Sequence, residues 1–453
     1  MTVPYGRLPY IANTDADRRA MLAAIGVASS DDLFAEIPPG FRIEGLNLPP
    51  ALSEPELVRE LSALAQRNRP AGEMPCFLGG GAYRHFIPSV VREVTGRSEF
   101  TTAYTPYQAE ISQGTLQTAF EFQSLVCELT AMDVANAGMY DGASALAEAC
   151  LMAAAVTGRR RIALLSSVHP HSQAVARTYA FGRGLTVDVM PPDAIALGEE
   201  HACLAVQQPN FLGYLEDVEA LEKAAHAAGA LFVASVDPIS LGLFRPPGEY
   251  GADIVVGEGQ SLGVPLSFGG PYLGLFACRQ KYLRQMPGRL VGRTDDAQGR
   301  TGYVLTLQTR EQHIRRERAT SNICTSQQLV ALAATVYLAA MGKQGLRQVA
   351  ELCYHKAHYA AGRIAALPGY SLASAGGGPA VGGSEGVFFK EFVVRCPRPP
   401  AEINRALLER GIIGGLDVSD QIPGGLLLCV TEMNTREEID ALVDGLGEIG
   451  GRR

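Results

Sequence analysis

The sequence predicts an α/β protein with two folded lobes, a large one on a mostly parallel sheet and a small α+β one behind it. Short apolar runs at residues 162–166, 202–206, 231–236 and 254–256 alternate with helical stretches at 172–181 and 215–228. That is the rhythm of strands buried on both faces and crossed by helices. A long helix over residues 328–341 then separates this region from one with a different rhythm. The chain has 453 residues, more than one small core organises, so two or three packed lobes are expected.

Taken in order, residues 1–70 read as an all-helical arm. Ser53-Glu54-Pro55-Glu56 is a capping box with proline in the first turn, and it opens a helix through Leu57, Leu61 and Leu64. The glycine-rich aromatic segment 77–85 and the stretch Tyr104-Thr105-Pro106-Tyr107-Gln108 have neither period and should be ordered loops. From about Gln113 an amphipathic helix carries Leu116, Phe120, Leu125 and Leu129, and Asp141-Gly142-Ala143-Ser144 starts an Ala-rich helix. A weaker strand pair, including residues 272–278, is expected to flank Gly269-Gly270-Pro271. The second lobe holds a helix near 349–366, a strand at 388–395, a helix at 401–410, a strand at 426–430 and a closing helix. Thr435-Arg436-Glu437-Glu438 caps that last helix, and residues 376–383 form a glycine-rich loop. The expected division is an arm 1–70, a large domain 71–327 and a small domain 328–453.

Composition excludes some classes. A formal charge of −8 argues against nucleic acid or an anionic membrane as a partner. Nine singly placed cysteines show no CxxC or Cys/His metal spacing, so reduced thiols and no metal are expected. Residues 1–22 have no signal core or transit pattern, and no apolar run approaches a membrane span; a cytoplasmic protein is expected.

A large α/β domain, a long helix and a small α+β domain outline the fold-type-I pyridoxal-phosphate enzymes. That cofactor makes three demands of such a fold. Its phosphate suits a helix N-terminus with small residues, and Asp141-Gly142-Ala143-Ser144 offers one. Its ring nitrogen suits a carboxylate; Asp237, at the end of an apolar strand, is so placed. His169, after the strand at 162–166, could lie against the ring. Each has a plainer reading: a helix N-cap, a turn aspartate before Pro238, a structural histidine. The third demand, a Schiff-base lysine after the strand ending at Val256, is not met. Of five lysines, Lys223 is mid-helix, Lys281 follows a later strand, and Lys343, Lys356 and Lys390 belong to the small domain. None is placed to close an aldimine in this crevice. No Walker motif, HExxH or GxSxG appears.

Residues 104–114, YTPYQAEISQG, and 318–325, RATSNICT, closely resemble the YTPYQPEISQG and REKATSNICT segments of glycine cleavage P-proteins, and residues 77–83, 139–147 and 260–271 are similar too. The resemblance spans essentially the whole chain; Ala109 replaces a proline. P-proteins occur as one long chain of two homologous halves or as two separate subunits, and this length matches the first half. The resemblance implies that the partner subunit holds pyridoxal phosphate covalently and this chain does not. Aligned on Pro265 and Pro271, the partner's lysine falls on Gln260. It implies glycine as substrate, lipoylated H-protein as acceptor, and a heterodimer paired into a heterotetramer. By position, Tyr104, Thr105, Tyr107, Gln108, Arg318, Thr320, Ser321 and Asn322 are candidates to complete the partner's active site. Asp141, Gly142, His169 and Asp237 would be vestiges of a cofactor site. The other reading is a purely structural or regulatory subunit.

Overall fold

The computed structural model describes residues 12–43, 45–373 and 386–451. Its contacts divide the chain into a unit up to Pro70 and a unit from Ala71 onward. In the first, α1 (Asp15–Ile25) is capped by Thr14 and Asp17, and α2 (Glu54–Ala65) by Ser53 and Glu56. In the α2 box the Ser53 N–H donates to Glu56 Oε2 at 2.9 Å, so an otherwise unpaired amide is satisfied.

The second unit begins with α3 (Ser89–Thr95), the one-turn α4 (Ser98–Thr101) and α5 (Gln113–Thr130). Helix α5 buries Leu116, Ala119, Phe122 and Val126. Phe120, Leu125 and Leu129 lie at the margin of that stripe and are only partly buried, a quarter-turn off the face expected from the sequence. Seven strands follow: β1 (Val134–Ala135), β2 (Arg161–Leu165), β3 (Thr186–Met190), β4 (His201–Gln208), β5 (Leu231–Val236), β6 (Ile254–Glu258) and β7 (Gly274–Cys278). Their order is β1-β7-β6-β5-β4-β2-β3. The run β3-β2-β4-β5-β6 is parallel, β7 lies antiparallel to β6, and β1 lies antiparallel to β7. The crossing helices are α6 (Gly142–Thr157), α7 (Pro170–Gly182) and α8 (Val218–Ala227). Residues such as Ile162, Leu164, Leu204, Phe232 and Val256 are fully buried between them, each worth about 1.5–3 kcal/mol of burial.

One expected element differs and two were not foreseen. The strand pair around Gly269 is a single strand, β7; residues 267–269 form a 3-10 turn. Strand β3 escaped notice because it is a half-exposed edge strand with Asp188 at its centre, which pairs with Arg161 at 2.7 Å. The hairpin β8 (Leu290–Asp295) and β9 (Thr301–Thr306) escaped because its outer half is polar and exposed.

After α9 (Gln312–Arg315), α10 runs Gln328–Ala365 and turns sharply at Gly342 (φ 60°, ψ −178°), so the two helices expected there are joined across a glycine break. By length and composition α10 passes as a membrane span, contrary to the sequence expectation; yet Leu332, Ala334, Tyr337, Val349 and Cys353 are buried in the main core. The antiparallel sheet beyond it is β10 (Ser371–Leu372), β11 (Glu391–Arg395), β12 (Leu416–Asp417) and β13 (Gly425–Cys429), in the order β10-β11-β13-β12. Helices α11 (Pro400–Glu409) and α12 (Arg436–Gly451) close over it around Phe392, Leu407, Leu427 and Leu442. Thr435 and Glu438 exchange backbone N–H to side-chain bonds at 3.1 and 3.2 Å at the start of α12. The loop read at 376–383 lies outside the described residues.

Candidate functional site

The parallel strands end on one side in a cleft of about 430 Å³. His169 follows β2, Gln207 is next to last in β4, Asp237 follows β5 and Glu258 ends β6, with the N-terminus of α6 opposite. Carboxyl ends of strands in an open α/β sheet are where ligands bind.

Asp141 caps α6, its Oδ1 accepting the Ser144 N–H at 2.7 Å. The next amide, Gly142 N–H, donates 2.9 Å to Glu258 Oε2. A Cβ on Gly142 would lie 2.9 Å from the Glu258 backbone nitrogen, so only glycine allows this approach. Glu258 Oε1 accepts from Gln260 N–H at 2.9 Å and Leu273 N–H at 3.2 Å. Burial dominates these donors and pushes the carboxyl up to about 7.

His169 Nε2 lies 3.0 Å from Gly80 O, and its Nδ1 accepts the His171 N–H at 3.0 Å, so Nε2 carries the proton. Burial holds the imidazole below its ordinary value. The ring edge packs on Phe211 at 4.6 Å. Its hydrogen bonds are thus committed to the protein.

Asp237 receives the Ile239 N–H on Oδ1 at 3.0 Å. Its Oδ2 lies 2.7 Å from Lys390 Nζ, with the two side chains only 12% and 2% exposed. Phe389-Lys390-Glu391 leads into β11 and brings the ammonium to Asp237 from behind; Lys390 itself does not line the cleft. Lys390 also sits 3.5 Å over the Tyr83 ring centre and 3.0 Å from His85 Nε2. His85 Nδ1 meets Glu432 Oε2 at 2.7 Å, and Glu432 Oε1 accepts the Phe86 N–H at 2.6 Å. Burial, then Lys390, holds His85 below its ordinary value. A neutral ring with Nδ1–H toward Glu432 and Nε2 toward Lys390 satisfies both neighbours. A buried hydrogen-bonded line therefore runs Asp237–Lys390–His85–Glu432, with the neutral imidazole between the ammonium and the second carboxylate. His85, Cys353 and Glu432 also stand close enough for three metal ligands, but the ammonium beside His85 opposes a cation there.

Gln260 is buried, and it does not face the cleft. Its Nε2 donates to Tyr83 O at 2.9 Å and Val264 O at 2.8 Å, and its Oε1 accepts the Tyr83 N–H at 2.8 Å. The amide pins segment 77–86 to the turn after β6.

None of the eight partner-facing candidates lines the cleft. Tyr104 and Tyr107 are 79% and 61% exposed. Tyr107 lies under the buried Arg289 guanidinium at 5.3 Å and accepts a bond from it at 3.4 Å. Gln108, Arg318 and Asn322 are exposed, Thr105 and Thr320 half-buried, and Ser321 is buried with its Oγ accepting the Ile323 N–H at 3.0 Å. Glu258, Lys390, His85 and Glu432 were missed by sequence reading. The signal for Lys390-Glu391 was present: two charges inside the apolar run 387–394.

Pyridoxal phosphate does not fit this crevice as it stands. The carboxylate for a ring nitrogen is paired with Lys390, the first amide of α6 is bonded to Glu258, and no arginine or lysine is among the cleft-lining residues.

The family model for "Glycine cleavage system P-protein" matches residues 8–446. A Thermomicrobium roseum protein named "Probable glycine dehydrogenase (decarboxylating) subunit 1" is 54% identical over 450 residues, covering 96% of this chain and 98% of its own. A crystal structure of the glycine decarboxylase P-protein of the glycine cleavage system, in inhibitor-bound form, superposes with a TM-score of 0.89 at 44% identity, covering 98% of this chain and 100% of that one. A C-DES mutant with glycine covalently linked to its PLP cofactor shares the fold at 14% identity (TM-score 0.59; 83% of this chain, 97% of that one).

Proposed function

The chain belongs to the glycine cleavage system P-protein family, and from that membership we propose that it is the lysine-lacking subunit of a two-subunit glycine decarboxylase. It acts in oxidative glycine breakdown only together with a second, homologous subunit, which carries pyridoxal phosphate on its own lysine. That cofactor supplies an electron sink for the decarboxylation of glycine, and the remaining aminomethyl group goes to the lipoyl arm of H-protein. A heterodimer paired into a heterotetramer and a cytoplasmic location complete the reading. So does the division into arm 1–70, large domain 71–327 and small domain 328–453.

The observation that carries it is the crevice chemistry. Gln260 stands buried and bonded after β6, and Lys390 is locked to Asp237 behind the crevice. What this chain contributes lies on its surface. Tyr104, Tyr107, Gln108, Arg318 and Asn322 are exposed, and aromatic and arginine side chains of this kind are the ones that anchor interfaces. Thr105, Thr320 and Ser321 support them from beneath. In this arrangement the residues bind and orient groups in the partner's pocket and keep water from it; none moves a proton on this chain.

Tyr107→Ala and Arg318→Ala are expected to lower glycine-dependent CO2 release by the co-expressed complex about tenfold or more, roughly 1.4 kcal/mol each, while sizing shows intact assembly. Full activity in both variants with intact assembly would favour the purely structural or regulatory reading.

A further inference from the structure

The crevice keeps the outline of a cofactor site and 430 Å³ of space, so what excludes a ligand there is chemistry and not volume. Two contacts matter. Asp237, the carboxylate a protonated ring nitrogen would need, is 2.7 Å from Lys390 Nζ. The first amide of α6, where a phosphate would meet the helix dipole, donates to Glu258 Oε2 at 2.9 Å. We propose that Lys390 and Glu258 are built-in surrogates for the cofactor, the ammonium standing for its ring nitrogen and the carboxylate for its phosphate, and that they close this crevice to pyridoxal phosphate.

The surroundings agree. Asp141, Asp237 and Glu258 line the cleft with no arginine or lysine to balance a phosphate dianion. Asp141 faces its own helix, with Oδ1 held by the Ser144 N–H. The titratable groups facing Lys390 are Asp237 from the end of β5, His85 and Tyr83 from segment 77–86, Cys353 on α10 and Cys429 at the end of β13. Those facing Glu258 are backbone amides of α6, the turn after β6 and the start of β7. Entry of a phosphorylated pyridine would require breaking both sets at once. The same bonds have a constructive side. Lys390 joins the small domain to the sheet of the large one, so this chain holds its two lobes together without a ligand between them.

The inference rests on the reading that the cofactor belongs to the partner. The two fail separately, because a covalent label on this chain overturns that reading, whereas non-covalent binding of an analogue without an aldehyde tests only the crevice. The full-length chain is dialysed to equilibrium against 4′-deoxypyridoxine 5′-phosphate, which needs no lysine. The native chain is expected to show no saturable binding up to about 1 mM, the weak end of measurable affinity. Lys390→Met frees Asp237, and Glu258→Ser frees the Gly142 amide and removes the carboxyl that occupies it. Each is expected to bring measurable binding, and the double variant at least about tenfold tighter binding than either alone. Saturable binding by the native chain overturns the proposal. So does unchanged non-binding in variants whose circular dichroism matches the native chain. Should Lys390→Met not fold, Glu258→Ser alone carries the comparison.

Discussion

Lys390→Ala is expected to cost the fold about 3–5 kcal/mol, the range for breaking a buried ion pair from one side. Lys390 and Asp237 are almost fully enclosed, and removing the ammonium leaves a carboxylate with one backbone donor, Ile239 N–H, in a low-dielectric site. It also strips the cation from Tyr83 and the donor from His85 Nε2. Burial pulls the Lys390 ammonium down, but Asp237 outweighs it and holds the group above the ordinary lysine value of 10.5. A raised folded value means that the contribution is complete below 10.5 and fades only as pH rises beyond it. The loss should therefore be the same at pH 6 and pH 9. Urea unfolding of the full chain, followed by its midpoint, measures it. Replacing both partners, Asp237→Leu with Lys390→Met, is expected to cost much less, since no charge is left stranded.

The second large effect is an acid one. Burial alone would raise Glu432, but the hydrogen bond from His85 and the Phe86 N–H bring it down to about 2 from 4.5. A depressed carboxyl contributes stability above its unfolded value and loses it as pH falls toward its folded one. Between pH 4.5 and 2 the protein is thus expected to lose about 3 kcal/mol through this one group. Glu432→Gln should be less stable at pH 7 by a comparable amount and should lack that part of the acid transition. Parallel pH profiles for the two proteins would contradict the role given to Glu432.

How much of this was legible beforehand depends on what each residue's neighbours are. The parallel sheet could be read because its strands are apolar on both faces, and the crevice followed because strand ends gather there. Asp141 and Asp237 could be placed, since a polar residue closing an apolar run or opening a helix announces its own position. The edge strand β3 and the β8–β9 hairpin could not, because their exposed halves carry no period. The partners of the crevice residues were hidden for a different reason: Lys390 is 153 positions beyond Asp237 and Glu432 is 347 beyond His85, and nothing local tells a buried charge which opposite charge it meets. Gln260 shows the same limit. Its position could be aligned, but its use, three hydrogen bonds holding segment 77–86, depends on a chain segment 177 residues away.

The central claim, that covalent cofactor chemistry belongs to the partner and not to this chain, is tested most directly by borohydride reduction of the active complex with pyridoxal phosphate, followed by peptide mass mapping of both subunits. A reduced pyridoxyl label is expected on one lysine of the partner and none on Lys223, Lys281, Lys343, Lys356 or Lys390. A stoichiometric label on any of these five, Lys390 above all, would contradict it.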